Sequence, residues 1–184
     1  AGNVWKPILE YAESLNVKIA IENCPMLFTE DEWPGGKNIA VSPAIWRELF
    51  KRLPSEYLGL NFDPSHFIWQ EMDYIRPLYE FKDKIFHVHY KDIRVDKEAR
   101  NEVGVLATPL SYMVPCIPGH GDVNWARYIS ALLEIGYQGA ACIEVEDKSF
   151  EDNNENIENS LKISRQYLKQ FIHFPEKGRQ YAKD

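Results

Sequence analysis

The apolar positions along the chain change period several times. Over residues 1–16, Val4, Ile8, Leu9, Ala12 and Leu15 recur at intervals of three and four. That spacing predicts an amphipathic helix already under way at the first residue, with Asn16 placed to end it. Val17-Lys-Ile-Ala-Ile21 then reads as a strand that stops at the polar Glu22-Asn23. Residues 29–41 read as loop, with Pro34-Gly35-Gly36 as the turn signal. Ser42-Pro43 predicts the start of a helix running to about Leu53, with Ser as N-cap and Pro in the first turn.

The alternation repeats. Strands are predicted over 57–62, 84–90 and 139–145, and helices over about 72–81, 125–135 and 154–172. Pro77 weakens the middle of the 72–81 helix, and Gly136 ends the 125–135 helix. Residues 92–124 show no period; connections of that length are usually functional or disordered. Residues 173–184 read as a polar tail.

A helix followed by four strand–helix units predicts a parallel α/β protein. No G-x-G-x-x-G follows any strand, so a nucleotide-binding doubly wound sheet has no support. A closed (β/α)8 barrel takes about 250 residues. Read as a barrel, this chain of 184 residues supplies one half over 1–172.

Composition narrows the setting. With 45% hydrophobic and 27% charged residues the chain can bury a core. No apolar run approaches the ~18 residues of a membrane helix, and the first residues lack a basic-then-apolar signal pattern. A formal charge of −7 argues against a nucleic-acid surface. Cys24, Cys116 and Cys142 are far apart and odd in number, so neither a disulfide framework nor a zinc knuckle is expected, and a reducing cytoplasm fits.

The chemistry sits at the strand ends. Each predicted strand is apolar until its C-terminal end and then presents Glu22, Asp63, His89 or Glu144. Ligands of parallel α/β proteins bind at those ends. A lone carboxylate there is usually a helix cap or a solvated loop residue. Four in four, all able to share one ion, point to a hard oxygen-rich site suited to Mn²⁺, Mg²⁺ or Co²⁺.

Ordered stretches carry a resemblance. They are Ile21-Glu22-Asn23-Cys24-Pro25, Asn61-Phe62-Asp63-Pro64-Ser65-His66, His87-Val88-His89-Tyr90-Lys91-Asp92, Pro118-Gly119-His120-Gly121-Asp122-Val123-Asn124-Trp125, and Gly136-Tyr137-Gln138-Gly139 leading to Ile143-Glu144-Val145-Glu146-Asp147. The set resembles the xylose isomerase-like TIM barrel superfamily, in particular its sugar phosphate isomerase/epimerase branch, which includes tagatose/psicose 3-epimerases and inosose dehydratase-like proteins. The resemblance implies that Glu22, Asp63, His89 and Glu144 are metal ligands at the ends of strands five to eight. It also implies that Glu22 and Glu144 act as acid and base on opposite faces of a sugar, through a metal-stabilised enediolate. One divalent ion is expected, Mn²⁺ first, with Mg²⁺, Co²⁺ or Zn²⁺ as alternatives.

Further residues follow from the same likeness. His66 matches a substrate-contacting histidine of the epimerases, or it packs on Phe67 at a helix entry. Lys91 and Asp92 are expected at the mouth, Lys91 binding a substrate oxygen, neutralising the acidic pocket or sitting solvated in its loop. Arg94 lies near a substrate-binding arginine, one residue short in spacing. His87 and Glu146 share strand faces with His89 and Glu144, as lining residue and alternative ligand respectively. Trp33, Trp69 and Tyr90 are candidates for an apolar wall against a sugar face.

The leading expectation is a metal-dependent isomerase or epimerase of a keto-sugar or polyol derivative. Gly35-Gly36 and Gly119–Gly121 make poor phosphate nests, which favours an unphosphorylated substrate. The alternative on the same site is a lyase that expels a β-substituent, inosose-like substrates included. A DNA-cutting, three-zinc branch of the superfamily would need more ligands than five His and these carboxylates provide, and a basic face. Half a barrel also leaves two sheet edges open, so the missing first half or a homo-oligomeric partner is expected to close it, and the segment alone to be weak or inactive.

Overall fold

A computed structural model describes residues 2–27, 29–32 and 36–172. In chain order the elements are α1 (Gly2–Ser14), β1 (Ile19–Glu22), α2 (Pro43–Arg52), β2 (Leu58–Phe62), α3 (Ser65–Ile68), α4 (Arg76–Glu80), β3 (Ile85–Tyr90), β4 (Asp92–Val95), α5 (Lys97–Val103), β5 (Met113–Cys116), α6 (Trp125–Glu134), β6 (Ala140–Ile143) and α7 (Asn154–Leu168). The expected tail at 173–184 and the expected turn residues Pro34 and Gly35 lie outside the described residues.

β1, β2, β3 and β6 form one sheet in that order, every pair parallel. Side chains alternate across a strand, and here the alternation separates two chemistries. Leu58, Leu60, Phe62, Val88 and Tyr90 face the helices and are buried. Glu22, Asn61, His87 and His89 fall on the opposite face, continued by Asp63, Lys91 and Glu144 just past the strand ends. The register slips between Leu60 and Asn61, where β3 advances two residues against one, leaving Phe86 as a bulge. The Phe86 ring occupies the space a Cβ on Gly59 would need, which is why β2 carries glycine there.

The helix-facing core centres on Trp46, fully buried and edge-on to Phe62 at 5.9 Å and to Phe81 at 5.3 Å. Its indole Nε1–H donates to the Ala40 carbonyl at 2.7 Å, so no polar atom is stranded. Trp125, Tyr128 and Tyr90 interlock edge-to-face beside it. Tyr90 therefore belongs to this core and not to a sugar-facing wall: it is the outward residue of the alternation. Trp69 packs with Ile93, Tyr112 and Met113 instead, and Trp33 lies outside the described residues.

Two helix starts differ in detail from expectation. The 72–81 helix starts only at Arg76, so Pro77 lies in the first turn, where its missing N–H costs nothing. Asp73 Oδ1 caps that start, accepting from the Ile75 and Arg76 amides at 2.8 and 3.2 Å. Ser42 takes the N-cap position of α2 but makes no side-chain capping bond.

The stretch 92–124 is ordered by local structure. β4 and β5 pair antiparallel, Asp92 opposite Cys116 and Val95 opposite Met113, with α5 between them. Asp92, expected at the mouth, is fully buried at the start of β4. Its Oδ1 accepts from the amides of Ile93 (2.9 Å) and Val123 (3.0 Å), and its Oδ2 from the amide of Gly119 (2.9 Å) and the Trp125 indole (2.7 Å). Gly121 passes so close that a Cβ would strike Asp92 Oδ1 and the Ile93 carbonyl. The Pro118–Trp125 motif is thus a loop wrapped on one buried carboxylate.

Candidate metal centre

The backbone brings four strand ends to one place. Asn23, fully buried, ties the first two together: its Oδ1 accepts from the Asp63 amide at 2.7 Å and its Nδ2 donates to the Asp63 carbonyl at 2.9 Å. Asn38 Nδ2 donates to the carbonyls of Glu22 and Cys24, both at 2.8 Å, holding the chain just beyond β1. Parallel pairing then sets Glu22, Asp63, His89 and Glu144 side by side, each offering one ligand atom, all within 4.8 Å of one another.

The donor set suits a cation. Asp63 is fully buried; its Oδ1 accepts from the Ser65 amide at 2.8 Å, while its Oδ2 has no hydrogen-bond partner. His66 Nε2 is likewise buried and unpartnered, 3.4 Å from that oxygen and 3.8 Å from Glu22 Oε1, too far for a hydrogen bond. Buried polar atoms left unsatisfied are costly. A hard divalent ion at the centre of three carboxylates and an imidazole would satisfy Asp63 Oδ2 and leave coordination positions open to oxygen ligands.

Without an ion, protons and Lys91 supply the positive charge. His89 Nδ1 stands 2.8 Å from Glu144 Oε2 and 3.0 Å from Glu22 Oε1, and these two carboxylates push its pKa up to about 10. Burial opposes a charge on His66, yet the Asp63 carboxylate, with contacts to Cys24 and Glu22, pushes it up to about 9. Burial also works against ionised Glu22 and Glu144, but contacts with His66 and His89 hold Glu22 far below the usual carboxylate range, and His89 holds Glu144 below it. Lys91, 4% exposed, points its Nζ at Asp63 Oδ2 (3.3 Å), Glu144 Oε1 (3.4 Å) and Glu146 Oε2 (3.4 Å). Those charges raise its pKa despite burial.

Each expected site residue can now be placed. Glu22, Asp63, His89 and Glu144 form the cluster, and His66 and Lys91 border it. Glu146 meets the cluster through Lys91. Arg94 is exposed on β4, cross-strand from Val114, and among the described residues makes no ion pair with the cluster carboxylates. Asn23, Asn38 and Asn61 escaped the sequence reading. Asn23 could have been found as the amide directly after Glu22, and Asn61 as a polar residue inside the otherwise apolar Leu58-Gly-Leu-Asn-Phe62; Asn38, in a loop, gave no such signal.

The family of xylose isomerase-like TIM barrels matches residues 1–169. The uncharacterized protein YfiH of Bacillus subtilis is 30% identical over 180 residues, covering 91% of this chain and 51% of that protein. An inosose dehydratase of Lactiplantibacillus plantarum is 27% identical over 117 residues, covering 62% of this chain and 38% of the enzyme. A crystal structure of a D-tagatose 3-epimerase-like protein superposes with a TM-score of 0.59 at 23% identity, covering 91% of this chain and 52% of that one. The chain spans about half the length or less of the curated relatives it matches.

Proposed function

This chain belongs to the xylose isomerase-like TIM barrel family, and from that premise we propose that it acts on keto-sugars or related polyols as a divalent-metal-dependent isomerase or epimerase. One observation carries the reading: four strand-end ligand atoms within 4.8 Å, with the buried Asp63 Oδ2 accepting no hydrogen bond and met only by the charge of Lys91 Nζ at 3.3 Å and the His66 and His89 rings. Mn²⁺ is the first choice of ion, with Mg²⁺, Co²⁺ or Zn²⁺ as alternatives.

In this reading Glu22, Asp63, His89 and Glu144 hold the ion. When bound, it supplies positive charge to a carbonyl oxygen and so acidifies the neighbouring C–H. Glu22 and Glu144, on opposite sides of His89, take that proton and return one, which inverts or relocates the stereocentre. His66 and Lys91 place N–H donors within reach of substrate hydroxyls, and Arg94 contributes from the hairpin if the substrate extends that far.

The inosose dehydratase relative favours a second outcome on the same site. After proton abstraction, Lys91 Nζ beside Glu144 can hand a proton to a departing hydroxyl. The product's mass separates the two: epimerisation conserves it and dehydration loses water.

We further propose that residues 1–172 supply strands five to eight of the barrel, with 173–184 a polar tail. β1 and β6 are the outer strands of the sheet, β6 exposes Ala140, Ala141 and Cys142, and α1 exposes a stripe of Val4, Ile8 and Tyr11 that Leu15 continues just past its end. Four more strand–helix units, or a second copy, would cover both seams. Incubating the metal-loaded protein with ketohexoses and inososes, and following products by chromatography and mass, tests the reading. Turnover, however slow in this half-barrel, that chelator abolishes and Mn²⁺ restores supports it; metal-independent turnover overturns it.

A further inference from the structure

Asn61 lies on the cluster side of β2 with one imidazole at each end of its amide. Its Nδ2 is 2.9 Å from His89 Nε2, and its Oδ1 is 2.8 Å from His87 Nδ1. The two rings stand perpendicular, with centroids 5.4 Å apart. The Phe86 bulge sets the register that pairs Asn61 with His87. We propose that Asn61 is a positioning residue for the metal centre: its amide decides which nitrogen of His89 faces the carboxylates, and which tautomer both histidines adopt. This inference rests on the metal reading above.

The geometry leaves His89 one working orientation. With Nε2 on Asn61, Nδ1 points at Glu22 and Glu144, at 3.0 and 2.8 Å. Flipping the ring would put carbon in both places and lose both contacts. Donor and acceptor rules then tie the amide to the ring. With Nδ2 toward a neutral His89, Nε2 accepts and the ring's one proton sits on Nδ1, facing the carboxylates; a doubly protonated ring needs Oδ1 there instead. Turning the amide end for end keeps its shape and reverses both contacts. Oδ1 now accepts from Nε2–H, Nδ1 offers a lone pair to the cluster, and Nδ2 donates to His87 Nδ1. Partners that hold a ligating histidine in this way typically change metal affinity 10–100-fold when removed.

The test is calorimetric titration of the full chain with Mn²⁺, comparing wild type, Asn61→Leu, Asn61→Asp and Glu22→Gln. Asn61→Leu, unable to accept from Nε2–H, is expected to bind about 10–100-fold more weakly. Asn61→Asp, which accepts from that N–H, should bind near the wild-type constant, a rescue that loss of packing would not produce. Should Asn61→Leu fail to fold, ¹⁵N resonances of the wild-type His89 ring in the Zn²⁺-loaded chain give the answer: the inference requires the proton on Nε2. Wild-type affinity in Asn61→Leu, or a proton on Nδ1 in the loaded ring, overturns the inference and leaves the metal reading standing. No Mn²⁺ binding by wild type, with Glu22→Gln indistinguishable from it, overturns both.

Discussion

Replacing Asp92 by Asn changes one atom and should loosen the whole 92–124 segment. Each carboxylate oxygen of Asp92 accepts from two donors, three of the four bonds being buried. An amide keeps one oxygen; its NH2 group must then face the other two donors. Bonds to a charged acceptor contribute about 1.5–3 kcal/mol each, so two lost bonds cost about 3–6 kcal/mol. Burial holds the Asp92 pKa above its ordinary value, so the ionised side chain already bears a desolvation penalty that Asn escapes. The net loss is therefore about 2–4 kcal/mol. For a domain of this size that lowers Tm by about 5–15 °C. Asp96→Asn is the control, since Asp96 only caps α5 through the Ala99 amide and Asn caps about as well. Thermal unfolding followed by circular dichroism compares the two, and the Trp125 indole proton should lose its protection from exchange in Asp92→Asn alone. If both variants melt with wild type, the buried carboxylate does not organise this loop.

Other consequences are quicker to check. Trp46→Ala removes a fully buried indole and its bond to Ala40, and should cost about 3–5 kcal/mol in urea unfolding. Lys91→Met removes a buried ammonium 3.3 Å from Asp63 Oδ2, so Mn²⁺ affinity should rise by about tenfold or more while turnover falls; weaker Mn²⁺ binding would refute the placement. In metal-free protein His66 and His89 are raised from 6.5 to about 9 and about 10, so their stabilisation is complete below about pH 6.5 and lost as pH climbs through 9 to 10. Glu22 is depressed from 4.5, so its share is lost as pH falls below that value. Denaturant unfolding of the metal-free chain should therefore be hardest at about pH 5–6.5, and equal stability at pH 6 and pH 10 would contradict the charge balance.

The parallel sheet was legible in the sequence because its strands are short apolar runs that each stop at a polar residue. Glu22, Asp63, His89 and Glu144 stood out for the same reason. What escaped was held by single long-range contacts without a period. The β4–β5 hairpin depends on Asp92, whose partners Gly119, Val123 and Trp125 lie 27 to 33 residues away. Asn23 reaches Asp63 across 40 residues. Tyr90 is a sugar-wall candidate by residue type alone, and strand alternation, which puts it on the face opposite His89, overrides that. Pro77 was misread because a proline inside a helical period resembles a break, while the true first turn begins one residue earlier.

Metal stoichiometry of the chain purified without chelator, in wild type, Glu22→Gln and Asp63→Asn, bears most directly on the metal centre. Asp63→Asn keeps the oxygen that accepts from the Ser65 amide and neutralises the one that faces Lys91 Nζ at 3.3 Å, so it probes the ion by changing one atom. The expected result is about one divalent ion per chain in wild type and none in either variant. No ion in wild type even after soaking in Mn²⁺, or an ion retained by both variants, would contradict it.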